Sequence, residues 1–139
     1  MMRSDEQAES DGHSTKVFAD FIQQNTLGGN LISIDIYEPV INYCTTALIK
    51  SELMSDQISL VCANANEFIS NEEIRTINKI ELSKIDLLYM DGWDYSGSAE
   101  AKKASEDETL KFIISAEKFL TSTSLVLFDD VYNETWDGK

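Results

Sequence analysis

Two stretches of this chain constrain its fold more than any others. Residues 84–93 (KIDLLYMDGW) and 124–130 (SLVLFDD) are each a short apolar run that stops abruptly at a carboxylate. Runs of this kind, without polar alternation, are the signature of strands buried on both faces, as in a parallel sheet covered by helices. Such a sheet delivers the carboxyl ends of its strands to one edge, where ligands bind. Asp91, Asp129 and Asp130 are therefore expected on one rim, and a third run, residues 30–36 (NLISIDI), adds Asp35 to it.

Between the runs the spacing becomes helical. Residues 13–25 place Val17, Phe18, Phe21 and Ile22 on one face, with Ser14 as N-cap. Gly28 or Gly29 can close that helix in the left-handed conformation. Pro39 suits the first turn of a second helix, whose apolar stripe is Val40, Ile41, Cys44, Ala47 and Leu48. Residues 58–62 read as a strand, and 64–80 as mostly helical with Phe68, Ile69, Ile74 and Ile77 inward. Residues 92–104 read as a loop carrying Trp93 and Tyr95. Ser105 and Glu108 form a capping box for a helix to about residue 120, with Leu110, Ile113, Ile114 and Phe119 as its core face. Strands alternating with helices at this spacing predict an α/β fold with a doubly wound, mainly parallel sheet and right-handed crossovers.

The chain has 139 residues, enough for one core. Residues 1–11 lack a hydrophobic pattern and are expected to be disordered or a degenerate first strand, which leaves 12–139 as the domain. A formal charge of −14 argues against nucleic acid or an anionic membrane as partner and suits a cation or a cationic small molecule. Cys44 and Cys62 lack metal-ligand spacing and read as buried thiols in a reducing compartment. No apolar run approaches the ~20 residues of a membrane span, and the polar start is unlike a secretory signal, so a cytoplasmic location is expected.

Asp35, at the end of a strand in a nucleotide-binding α/β unit, is placed to accept hydrogen bonds from a ribose diol; a loop aspartate is the plainer alternative. Asp91, Asp129 and Asp130 supply the hard oxygen ligands that Mg²⁺ or another divalent cation requires. Without a cation, carboxylates so close would repel and one would protonate. The competing explanation is that they cap local turns. Trp93 and Trp136 could wall an apolar ligand or simply pack their loops. His13 is the only histidine, and no nucleophile–histidine arrangement is evident.

The order GHSTKVFADFI, GGNLISIDIYEPVI, ISLVCANANEFI, IDLLYMDGW, LVLFDD resembles class I S-adenosylmethionine-dependent methyltransferases. More narrowly it is similar to the small-molecule O-methyltransferases of the catechol type and the related cephalosporin and macrolide enzymes. The resemblance implies a Rossmann-like fold and S-adenosyl-L-methionine as cofactor. Gly12 and Ser14 would match the end of the glycine turn, Asp35 the ribose-binding acid, and Asn64 and Ala65 the turn beside the adenine. Asp91 and Trp93 would contribute to the cofactor site as well. Asp91, Asp129 and Asp130 would hold a divalent cation. The catechol enzymes place a general-base lysine soon after the first metal ligand; Asp94 and Tyr95 occupy that neighbourhood here, so Asp91 and Asp94 are the catalytic candidates.

The departures are equally specific. No apolar first strand precedes Gly12, Ala8 stands where the motif has glycine, and no closing strands follow residue 128. The expected fold is therefore an incomplete Rossmann-like sheet, truncated at both ends. The expected activity is O-methylation of a small-molecule acceptor with cation assistance. The alternative is a non-catalytic remnant acting as a binding or interaction module, with a homodimer paired through open sheet edges as one form of it. A receiver-like phosphoryl-transfer domain fits less well, because no lysine directly follows the last strand.

Overall fold

The computed structural model describes residues 13–25, 28–91 and 98–129. These divide into two compact units at Ala65 and Asn66. The fold is α/β and Rossmann-like: helices alternate with short strands, and the described strands form two parallel pairs.

In the first unit, helix α1 (His13–Asn25) leads into strand β1 (Leu31–Asp35), helix α2 (Glu38–Lys50) and strand β2 (Ile58–Cys62). β1 and β2 pair in parallel, with Leu31 opposite Ile58 and Asp35 opposite Cys62. Gly28 turns the chain into β1 with φ +64°, the left-handed conformation that glycine adopts without a Cβ clash. Pro39 sits in the first turn of α2, where its missing N–H costs no helical bond. α2 buries Val40, Cys44 and Leu48 at helical spacing, as its sequence stripe predicts.

α1 differs from expectation. It begins at His13, so Ser14 lies inside its first turn. Its buried residues are Thr15 and Ala19, whereas Val17 and Phe21 are exposed. The helix phase is set by close approach of small side chains: Ala19 joins Leu48, Leu53 and Ile58 in one apolar cluster, and the Thr15 hydroxyl meets that of Ser33 at 2.8 Å.

In the second unit, residues read as one helix form two, α3 (Ala65–Ser70) and α4 (Glu72–Ile77). Asn71 separates them and caps α4 by accepting the Glu73 backbone N–H at 2.9 Å. Phe68 and Ile69 are buried, but Ile77 is exposed, since the break resets the helical phase. Buried Arg75 instead donates to the Phe68 and Ile69 carbonyls at 2.9 and 2.8 Å, satisfying the end of α3, and its guanidinium stacks over Phe119. Strand β3 (Leu87–Met90), helix α5 (Ala99–Ala116), a 3₁₀ turn (Glu117–Phe119) and strand β4 (Leu125–Phe128) follow.

α5 starts six residues before the predicted capping box, because Ala99 to Ala104 are strong helix formers and Ser98 caps them by accepting the Ala101 N–H. Ser105 is then buried inside the helix, and Phe112 and Ala116 form the buried face, while Leu110 and Ile114 are exposed. The apolar residues wrap around this helix, so their spacing alone does not select a face.

Both α2 and α4 end in the same way. Leu53 N–H bonds the Leu48 carbonyl and Ile80 N–H the Arg75 carbonyl, each across a residue at φ 58°, Glu52 and Lys79. These are Schellman closures with a side chain where glycine is favoured. Lys79→Gly is expected to stabilise the protein by about 0.5–1 kcal/mol, the relieved left-handed strain being partly offset by unfolded-state entropy. A chemical denaturation midpoint that falls would contradict this.

Candidate functional site

The carboxyl ends of the strands carry the polar groups. In the first unit the Ala63 N–H bonds the Asp35 carbonyl at 3.0 Å, so the turn holding Asn64 and Ala65 begins beside Asp35. The half-buried Asp35 side chain accepts the Tyr37 N–H on Oδ1 at 2.7 Å, and among the described residues no donor reaches Oδ2. A carboxylate oriented by its own backbone, with an oxygen to spare, can accept a hydroxyl from a diol.

Helix α1 runs antiparallel to β1. Thr15, near its start, meets Ser33 toward the strand's carboxyl end, and Ala19, a turn later, packs near Leu31 and Ile58 at the amino end. The first turn of α1, with Ser14, is thereby aimed at the same end of the pair as Asp35. A shallow depression lined by Ala19, Ile22, Gly28 and Gln57 lies at the opposite, amino end, where parallel sheets do not bind ligands.

Cys62 occupies the last position of β2, opposite Asp35, and is exposed, contrary to the expectation of a buried thiol. An apolar run does not disclose which of its last residues emerges from the covering helices. Cys44, on α2, is buried as expected.

In the second unit β3 and β4 pair in parallel, Tyr89 opposite Leu127 and Met90 opposite Phe128. The Asp129 N–H continues the ladder to the Met90 carbonyl at 2.9 Å. Asp91 and Asp129 thus each follow their strand by one residue, at the same end of one pair, and both are exposed. Asp129 also accepts a hydrogen bond from the Tyr89 hydroxyl. Tyr89 was not anticipated; the only signal for it is strand alternation combined with a register that a single sequence does not supply.

Two neighbouring carboxylates can bind a hard cation that keeps part of its water shell. Among the described residues there is no cluster of three or more metal-ligating side chains. Gly12, Trp93, Asp94, Tyr95, Asp130 and Trp136 lie outside the described residues. Among the described residues, then, Asp35 stands with Asn64, Ala65 and the start of α1, and Asp91 with Asp129 and Tyr89.

A family model described as a methyltransferase domain matches residues 10–131. The chain belongs to this family. It is a class I S-adenosylmethionine-dependent methyltransferase, as its motif order implies. Every candidate from Gly12 to Asp130 falls within the matched residues of this methyltransferase domain. No curated protein and no solved structure matches the chain significantly. Among the described residues no helix is long and apolar enough to cross a membrane.

The two thiols offer a check on the exposed end of the β1–β2 pair. In the folded protein, iodoacetamide is expected to modify Cys62 and to spare Cys44 until denaturant is added, as read by peptide mass mapping. Equal or inverted reactivity would contradict the placement of Cys62.

Proposed function

We propose that this methyltransferase acts on a hydroxyl of a small molecule, with a divalent cation held by Asp91 and Asp129, in the manner of the catechol-type O-methyltransferases that it resembles. The observation that carries the proposal is the placement of Asp91 and Asp129 side by side at the carboxyl end of one parallel pair. Asp130 would complete the ligand set. The formal charge of −14 favours a small acceptor over nucleic acid or a membrane surface, and suits a cationic sulfonium.

S-adenosylmethionine supplies an activated methyl group on a sulfonium, and a divalent cation supplies a Lewis acid that lowers the pKa of a bound hydroxyl. On this reading Asp35 receives the ribose diol on its spare oxygen, and its Tyr37 N–H contact keeps that oxygen turned outward. Asn64 and Ala65 border the adenine. Gly12 and Ser14 would serve the methionine end, where the N–H groups of the first turn of α1 favour a carboxylate. Trp93 adds an apolar wall. Asp91 and Asp129 would hold the cation, whose contribution would be to orient and acidify the acceptor hydroxyl. The new O–CH₃ bond forms as the sulfonium C–S bond breaks, and the hydroxyl proton passes to a nearby base, for which Asp94 is the candidate. A cytoplasmic setting is part of the same proposal.

Isothermal titration with S-adenosylhomocysteine tests the cofactor assignment. Binding is expected in the wild type and at least about tenfold weaker in Asp35→Ala, from the loss of charge-assisted hydrogen bonds. In a labelled-methyl assay, Asp91→Ala is expected to abolish stimulation by Mg²⁺. An absence of binding by the wild type, or full activity in the presence of chelator, would overturn the corresponding part.

A further inference from the structure

Among the described residues, α1 is a crossover helix with only one of its two strands. Leu31 and Ser33 of β1 meet it through Ala19 and Thr15. Ile58 and Leu60, opposite them on β2, pack under Leu48, Val40 and Cys44 of α2. Cross-strand partners share a face, so both helices cover the same face of the pair. Crossovers between parallel strands are right-handed in about 98% of cases. Two right-handed crossovers on one face step across the sheet in the same direction. α2 carries the chain from β1 to β2, so a strand that feeds α1 belongs on the other side of β1. No strand pairs with that edge among the described residues.

The edge is equipped for one. The Leu31 N–H bonds the Gln57 carbonyl, and the Ala63 N–H bonds the Asp35 carbonyl. Alternation along the parallel ladder therefore turns the main-chain groups of Ile32 and Ile34 away from β2, toward the open edge. The flank of α1 above that edge is apolar. Gln23 bonds the Glu52 carbonyl at the end of α2 and so marks the flank that faces α2. At about 100° per residue, Phe18 and Phe21 lie on the other flank. Phe21 is 56% exposed and Val17, beside it, 65%.

We propose that the open edge of β1 is a docking site for a β-strand of another polypeptide, a segment rich in Val and Ile and free of carboxylates, running parallel to β1 under the outer flank of α1. Its main chain would pair with Ile32 and Ile34, and its alternate side chains would cover Phe18 and Phe21. Charge selects among occupants. Residues 1–11 carry four carboxylates against one arginine and no β-branched or aromatic residue. That composition disfavours a strand under an apolar flank. A neutral or basic segment is instead attracted to a chain of formal charge −14.

The test uses the whole chain and, as probe, a fluorescein-labelled heptapeptide of alternating Val and Ile with a lysine at each end. Fluorescence anisotropy is expected to show binding to the wild type and to Ile34→Ala. Ile34→Pro removes the N–H aimed at the open edge and spares the bonds to β2. Its affinity is expected to be roughly tenfold or more lower. In the wild type, the peptide is expected to slow amide exchange at Ile32 and Ile34 and to leave Ile58 and Leu60, on the far edge of β2, unchanged. No binding by the wild type, equal binding by Ile34→Pro, or protection at Ile58 and Leu60 instead overturns the proposal. So does protection of Ile32 and Ile34 without peptide: if deletion of residues 1–11 removes it, the chain's own segment is the occupant, and if dilution removes it, a second copy is.

Discussion

Parallel strand pairing is the interaction on which the rest of this structure depends. Both described pairs run in parallel, so each must send its carboxyl ends the same way. An antiparallel pairing would put Asp35 and the turn after β2 at opposite ends, and would separate Asp91 from Asp129. The register is as important as the direction. A shift of one residue in either pair would turn the alternate set of side chains outward and dissolve the contact between Tyr89 and Asp129.

Parallel pairs need covering helices, and the first unit shows how they are attached. α1 and α2 bring Ala19 and Leu48 into one cluster with Leu53 and Ile58. Leu53 reaches that cluster because the Schellman closure of α2 folds the chain back over Leu48. One local backbone device thus ends a helix, fills the core and aims β2. The strain at Glu52 is tolerated because the burial of Leu53 depends on it. The second unit uses a charge for the same purpose: Arg75 stitches the end of α3 through two carbonyls while its guanidinium lies on an aromatic ring.

Much of this was legible from residues alone, for identifiable reasons. β2 and β4 are found where the apolar runs place them, since nothing else explains such runs between turn residues. Pro39 and Gly28 mark their turns by covalent constraint, which tertiary context rarely overrides. The start of α5 was misread because small residues in a row resemble a loop, although Ala, Glu and Lys favour a helix once Ser98 caps it. The exposure of Val17, Ile77 and Cys62 depends on which face a neighbour covers, a tertiary fact with no local signature. Of the site, the positions of Asp35, Asp91 and Asp129 at strand ends were legible from the apolar runs that they close. The hydrogen bond from Tyr89 to Asp129 was not, because it arises from register between residues 40 apart in the chain.

The central claim is that ligand chemistry belongs to the carboxyl ends of the strands. Amide hydrogen exchange with and without S-adenosylhomocysteine addresses it most directly. Protection is predicted at residues 35–37 and 62–65, the carboxyl ends of β1 and β2 and the turn that follows, with little change at 28–30 and 55–57 at the amino ends. Ligand-induced protection confined to 28–30 and 55–57 would contradict the account.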